Sequence, residues 1–367
     1  PVFVKGNKLW EFDESGNLTG HHDPTCEGEA FSISHNVAPA EDAWGAGGCE
    51  DCHLRGGHIF NASVILDPYD ESGQPVIEPV RHSLGISDFS YDLCSIHCPL
   101  VKPWVGSLII LVFFATTLHF IRYGPHEVLI DRRPDDYEHL QRFNWVERFV
   151  HLVVLFTFLF LAFTGLAFAF NGGRWLKLFF NSAVTPRTWH GYLGLIFGAG
   201  VIIMLLMWWR DSVLTASDKK WLRKLGGYLG THEPVPAGRF NAGQKVYFWT
   251  VVVGGITLLI TGLILMFKES LPTDLVFLAV VIHDLAAFTS VAGVLSHVYL
   301  GTGANPGTLE AIFTGRVTKL WARRHHPEWF EEITGEPAYQ ELAAPGKDKP
   351  ENSEQAAKDE EPRAISK

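Results

Sequence analysis

Five apolar runs decide what this chain can fold into. They cover, approximately, Pro103–Ile121, Phe149–Phe170, Trp189–Trp209, Val246–Phe267 and Leu275–Leu300. Each is close to the ~20 residues that an α-helix needs to cross a bilayer. In hydrocarbon a backbone must satisfy its own hydrogen bonds, so runs of this length are predicted to be helices. The expected fold is therefore an all-α membrane protein, a bundle of five transmembrane helices with four of them as its core. A load of 26 Phe and 12 Trp fits aromatic belts at the two membrane surfaces.

Charge sets the orientation. The net charge of −10 is unevenly placed. Residues 1–102 carry 16 acids and 5 bases, residues 103–327 carry 13 acids and 20 bases, and residues 328–367 carry 11 acids and 5 bases. The segments 122–148, 210–245 and 301–327 together hold sixteen Lys or Arg, against four in the alternate loops 171–188 and 268–274. By the positive-inside rule the N-terminal part lies outside and the C-terminus inside. The bases line membrane loops rather than one compact soluble face, which excludes nucleic acid as a partner. The chain starts at Pro1 with no Met and no apolar leader, as expected of a mature chain whose signal peptide has been removed.

Orientation fixes the depth of the histidines within the spans. Ionisable residues inside a membrane helix are costly and point to function. His283 and His297 are fourteen residues apart on the last span, so they leave nearly the same helix face about 21 Å apart. His190 starts the third span near the outer surface, and His151 starts the second near the inner one. The depths pair His190 with His283 outside and His151 with His297 inside, the arrangement that two haems b stacked across a bilayer require. The alternative for any single one is a hydrogen bond to a neighbouring helix. His119, near the inner end of the first span, has no partner at its depth and is expected to be interfacial.

All five cysteines, Cys26, Cys49, Cys52, Cys94 and Cys98, lie before the first span, which fits an oxidising compartment. Cys49-Glu50-Asp51-Cys52-His53 is a C-x-x-C-H, the attachment signature of a c-type haem. A structural zinc or a disulfide is the competing reading. His35 is the candidate sixth ligand, with His21, His22, His58, His82 and His97 as competitors. Residues 1–102 thus read as a small, irregular periplasmic haem-c domain, 103–122 as the first span, 123–333 as a four-helix dihaem domain, and 334–367 as an acidic, solvated cytoplasmic tail.

Over roughly residues 142–333 the chain resembles the gamma subunit, a dihaem cytochrome b, of respiratory formate dehydrogenase. The resemblance rests on Arg142-Phe143-Asn144 through His151, on Trp189-His190-Gly191-Tyr192, on Arg239-Phe240-Asn241-Ala242-Gly243-Gln244-Lys245, on Ile282-His283-Asp284, on Ser296-His297-Val298-Tyr299, and on Trp321 through Glu332. It implies haem ligation by His151, His190, His283 and His297. It also implies a quinone site at Asn241, Gly243 and Gln244, taking menaquinone or ubiquinone. Asn241 followed by Gln244 is equally a helix capping box, and both roles can hold. Asp284 is an unusual intramembrane acid, expected to meet a haem propionate, an arginine or nothing. The partners implied are an iron–sulfur beta subunit and a molybdenum or tungsten catalytic subunit, in a bacterial inner membrane. This chain would be the electron-transfer subunit of a quinone-linked oxidoreductase, with no substrate chemistry of its own. The rival readings are the cytochrome b of a hydrogenase or of a thiosulfate or polysulfide reductase, and a non-redox anchor or transporter.

Overall fold

The computed structural model describes residues 3–5, 8–24, 57–67, 70–170, 176, 179–180, 184–230 and 232–339. Cys26, His35, Cys49, Cys52 and His53 lie outside the described residues, and so does the tail from residue 340. Two compact units divide at Gly47/Gly48. In the first, strands Phe3–Lys5, Lys8–Phe12 and Leu18–His22 form an antiparallel sheet. Its register places Trp10 opposite Gly20, where a Cβ would come within 2.7 Å of the indole.

Among its described residues, the second unit has five helices long and apolar enough to cross a membrane. We label them α1 (Lys102–Tyr123), α2 (Trp145–Ala169), α3 (Val184–Trp208), α4 (Ala242–Met266) and α5 (Thr273–Tyr299). The last continues as a π-helical turn, Leu300–Ala304. Helices α2 to α5 pack on one another in sequence, and α1 packs on α5 from outside. The packing is close because glycines face branched side chains. A Cβ on Gly200 would lie 2.6 Å from Val154, one on Gly198 2.6 Å from Leu259, and one on Gly255 2.9 Å from Val201. Small residues at helix contacts are how membrane bundles gain dispersion energy when lipid is as apolar as the partner helix.

Two helix starts lie four residues ahead of the apolar runs. Asn144 caps α2 by accepting from Glu147 N at 2.9 Å, while Glu147 accepts from Asn144 N at 2.8 Å. Asn241 and Gln244 cap α4 in the same way. The capping box satisfies orphan amide donors with polar side chains that a hydropathy window rejects. His151 is therefore the seventh residue of its helix rather than the third, almost two turns inside.

Helical structure also continues across residue 102. Helix Asp88–Ile96 runs through the π-turn His97–Val101 into α1 without a break. Ser87 N donates to Asp274 Oδ1 at 3.1 Å, tying this segment to the start of α5. Hydropathy marks where a helix becomes apolar, not where it begins.

At the end where α2 begins and α5 finishes, the bundle is closed by a cap. Strand His139–Gln141 pairs with Arg316–Thr318, and helices Lys319–His325 and Pro327–Thr334 follow. Phe143, Trp208, Trp321, Trp329 and Phe330 form its aromatic core. Fully buried Arg323 ties the cap to the α1–α2 connection through Asp131 Oδ1 at 2.6 Å and Asp136 Oδ1 at 2.7 Å. Its Nε donates to Ala338 O at 3.0 Å, so the packed part extends past the expected boundary at 333.

Candidate functional site

Both histidine pairs face across the bundle. The rings of His190 (α3) and His283 (α5) have centroids 6.4 Å apart, and those of His151 (α2) and His297 (α5) are also 6.4 Å apart. A metal–imidazole nitrogen bond is about 2.0–2.1 Å, and the ring centre lies about 1.2 Å beyond, so one ion held between two imidazoles sets the centres about 6.4 Å apart. Each gap therefore has the span that axial ligation from both sides requires. Among the described residues no group of three or more His, Cys, Asp or Glu is placed to hold a metal. A porphyrin supplies the other four donors, so two imidazoles suffice.

Two threonines that sequence reasoning passed over orient the first pair. Thr164 Oγ1 lies 2.6 Å from His190 Nδ1, and Thr261 Oγ1 lies 2.8 Å from His283 Nδ1. Each hydroxyl donates to a backbone carbonyl of its own helix, Phe160 O at 2.8 Å or Thr257 O at 2.7 Å. Its lone pair is left to accept Nδ1–H. That fixes the tautomer and leaves Nε2 bare, the form in which imidazole binds metal. Gly165 and Gly262 follow these threonines, and a Cβ on either would touch the imidazole Cε1, at 3.5 and 3.6 Å.

The signal was in the sequence. Arg142-Phe143-Asn144 with Thr164-Gly165-Leu166, and Arg239-Phe240-Asn241 with Thr261-Gly262-Leu263, repeat at one offset. The two helix starts also touch symmetrically: Arg142 Nη2 donates to Arg239 O at 2.9 Å, and Arg239 Nη2 donates to Arg142 O at 3.2 Å.

The second pair sits in a different setting. His297 is stacked on Tyr247, with centroids 4.4 Å apart and planes at 10°. A cavity of about 280 Å³ adjoins the two imidazoles, lined mostly by apolar side chains of α2 to α5. Arg142 and Arg148 also reach it, and Arg142 Nη1, Arg148 Nε and His151 Nδ1 are buried with no hydrogen-bond partner among the described residues. Buried donors without acceptors are costly. Burial, with the Arg239 charge added and Glu147 opposing, presses the Arg142 guanidinium down to about 9. Two such cations on an apolar cavity suit a ligand with a greasy body and an acidic edge.

A second cavity, of about 330 Å³, opens beside His297. Asn241, Gly243 and Gln244 line it, with Tyr247 and His297 forming the wall shared with the first cavity. The capping box uses the amide oxygens of Asn241 and Gln244. Their NH₂ groups remain as donors. Gly243 has a reason of its own, since a Cβ there would lie 2.8 Å from the Trp221 ring, another wall of the cavity.

At the other level, Asp284 meets Lys102 Nζ at 3.3 Å and His97 Nε2 at 3.7 Å, not an arginine. Cys94 is buried. His119 is engaged on both nitrogens: Nε2–H donates to Tyr228 O at 2.8 Å, and Nδ1 accepts from Tyr299 Oη at 2.6 Å.

Residues 142–315 match the family described as prokaryotic cytochrome b561. The cytochrome b556(fdo) subunit of formate dehydrogenase from Escherichia coli K12 is 29% identical over 195 residues, which is 52% of this chain and 92% of that protein. The formate dehydrogenase cytochrome b556 subunit of Haemophilus influenzae is 30% identical over 190 residues, 50% of this chain and 79% of that protein. The nitrate-inducible cytochrome b556(Fdn) subunit of Escherichia coli K12 is 27% identical over 197 residues, 52% and 90% of the two chains.

Proposed function

Since the chain belongs to the family of formate dehydrogenase cytochrome b556 subunits, we propose that it carries electrons between a formate-oxidising partner and a membrane quinone. The chain is a multi-pass membrane cytochrome b. The observation that carries the reading is the pair of facing imidazole couples, each spanning 6.4 Å, at two levels of α5.

In this reading His190 and His283 hold one haem b, and His151 and His297 hold the other. When bound, haem would supply one-electron transfer, with the two histidines of each level as the protein groups that would hold it. Thr164 and Thr261 keep the outer imidazoles in the ligating tautomer. Arg142 and Arg148 would take the propionates of the inner group, satisfying donors that are otherwise orphaned. Asn241 and Gln244 would donate their amide N–H to a quinone carbonyl in the cavity beside His297. The Lys/Arg bias supports a cytoplasmic side for that cavity and a periplasmic side for the N-terminal part. Moving one electron across a potential of 100 mV is worth about 2.3 kcal/mol. Cys49, Cys52 and His53, with His35 as sixth ligand, would bind a haem c that links a periplasmic iron–sulfur subunit to the outer haem b. The catalytic molybdenum or tungsten subunit lies beyond it.

Formate added to membranes carrying the complex is expected to reduce the b-type absorption bands, and a quinone is expected to reoxidise them. Reduction by hydrogen but not by formate would reject the formate partner. The threonine role has its own check. Thr164→Val removes the acceptor at nearly constant volume. Haem affinity at the outer site should fall about 10–100-fold, the usual loss when a partner of a metal-bound histidine is deleted. Haem retained as in the parent through a detergent wash would show that Thr164 is only a packing residue.

A further inference from the structure

The cavity beside His297 has a wall that the matched family region does not supply. His126 lies between α1 and α2, ahead of residue 142 where that match begins. Its backbone N donates to Ala304 O at 2.7 Å, which holds it against the end of α5. Its ring lines the cavity, 5.0 Å from the Tyr228 ring and 6.1 Å from that of His325, which also lines the cavity. On the outward side His232 is exposed, and its Nδ1–H donates to Glu127 O at 2.8 Å. That bond seats His232 on the residue that follows His126 in the chain. Exposed His232, half-buried His126 and cavity-lining His325 thus form a group of three imidazoles between the surface and the cavity.

We propose that this group is the proton-uptake line for quinone reduction in the cavity, an inference that rests on the quinone reading given above. Reducing a quinone to a quinol consumes two electrons and two protons, and each carbonyl oxygen gains one O–H bond. The electrons arrive from the His151–His297 side, and the protons come from water at the surface that His232 faces. A neutral imidazole accepts a proton at one ring nitrogen and releases another from the opposite one. It can therefore pass protons with no net change of its own.

The electrostatics suit delivery on demand. Burial, then the charges of His126, Arg324 and Arg142, hold His325 down to about 3. Burial, then the charges of His232 and His119, lower His126. The titratable and charged groups around His126 are His119 from α1, Tyr228 and His232 from the α3–α4 connection, and His325 and Arg324 from the cap. These shifts favour the neutral form of both inner rings. A proton settles there only as negative charge grows on the quinone oxygen.

The test uses membranes carrying the whole complex and a short-chain quinone, with His126→Gln and His126→Ala variants. Initial rates are taken between about pH 5.5 and 8.5, the range in which histidine titrates. Losing one proton-transfer group is expected to slow quinone reduction about tenfold or more at the alkaline end. The loss should be smaller at the acid end, where protons are plentiful. Added imidazole should restore the His126→Ala rate. The dithionite-reduced haem spectrum and binding of a quinone analogue should stay as in the parent chain. Parental rates and pH profiles in both variants would overturn the relay. So would an equal loss at every pH that imidazole does not rescue. Failure of the parent chain itself to reduce any quinone would instead strike the quinone reading, and the relay with it.

Discussion

A His297→Ala chain is expected to keep one b-type haem where the parent keeps two, and to lose quinone reduction while formate still reduces the haem that remains. The reason is the shape of α5. His283 and His297 stand about 21 Å apart on one face of it, so each level depends on its own residue. His297 also forms the wall between the two cavities and stacks on Tyr247, so its loss removes the ligand nearest the proposed quinone site. His283→Ala should do the reverse, sparing the inner haem and cutting the route from the periplasmic side. His119→Ala should spare both, because its two nitrogens are spent on Tyr228 and Tyr299. Haem quantified per chain separates these outcomes. Two b-type haems retained in His297→Ala would remove the inner ligand assignment.

The second large effect falls on stability. Arg323 is 1% exposed, and Asp136, one of its two carboxylate partners, is 2% exposed. Replacing Arg323 by Leu leaves Asp136 charged and buried without its cation. Breaking a buried pair in this way costs about 3–5 kcal/mol. The cost should appear locally, because the cap is held to the α1–α2 connection through this residue. Backbone amides of helix Lys319–His325 are expected to exchange with solvent about 10²–10⁴-fold faster, reporting an easier local opening. Exchange in the apolar middle of α5 should not change. A triple variant that also replaces Asp131 and Asp136 by Leu should recover much of the loss, since no buried charge is then left alone. Parental exchange rates in Arg323→Leu would mean that the pair contributes little.

The apolar runs foretold all five spanning helices because hydrocarbon leaves a backbone few alternatives. Alternation and depth suggest pairing His190 with His283 and His151 with His297, and the ring centroids of each pair lie 6.4 Å apart; that each pair holds a haem is the proposal made above. Helix starts were less legible. Glu147 and Arg148 depress any hydropathy average, yet they belong to the first turn of α2, where Glu147 closes the capping box. The cap was hidden for a related reason. Trp329 and Phe330 stand among acidic residues in Pro327–Thr334, a composition that looks solvated, yet their side chains are 5% and 1% exposed. The threonine partners of the outer histidines were the most informative omission. A threonine inside an apolar helix usually bonds only its own backbone. Only the repeat that pairs Thr164-Gly165 with Thr261-Gly262 marks these two as different.

The central claim is that four imidazoles, paired as these are, hold two haems within one bundle. The most direct measurement is haem type and stoichiometry on the isolated full chain by pyridine haemochrome, together with spin state by electron paramagnetic resonance. Two b-type haems per chain are expected, both six-coordinate and low-spin. One b-type haem or none, or a high-spin centre that binds carbon monoxide, would contradict that claim.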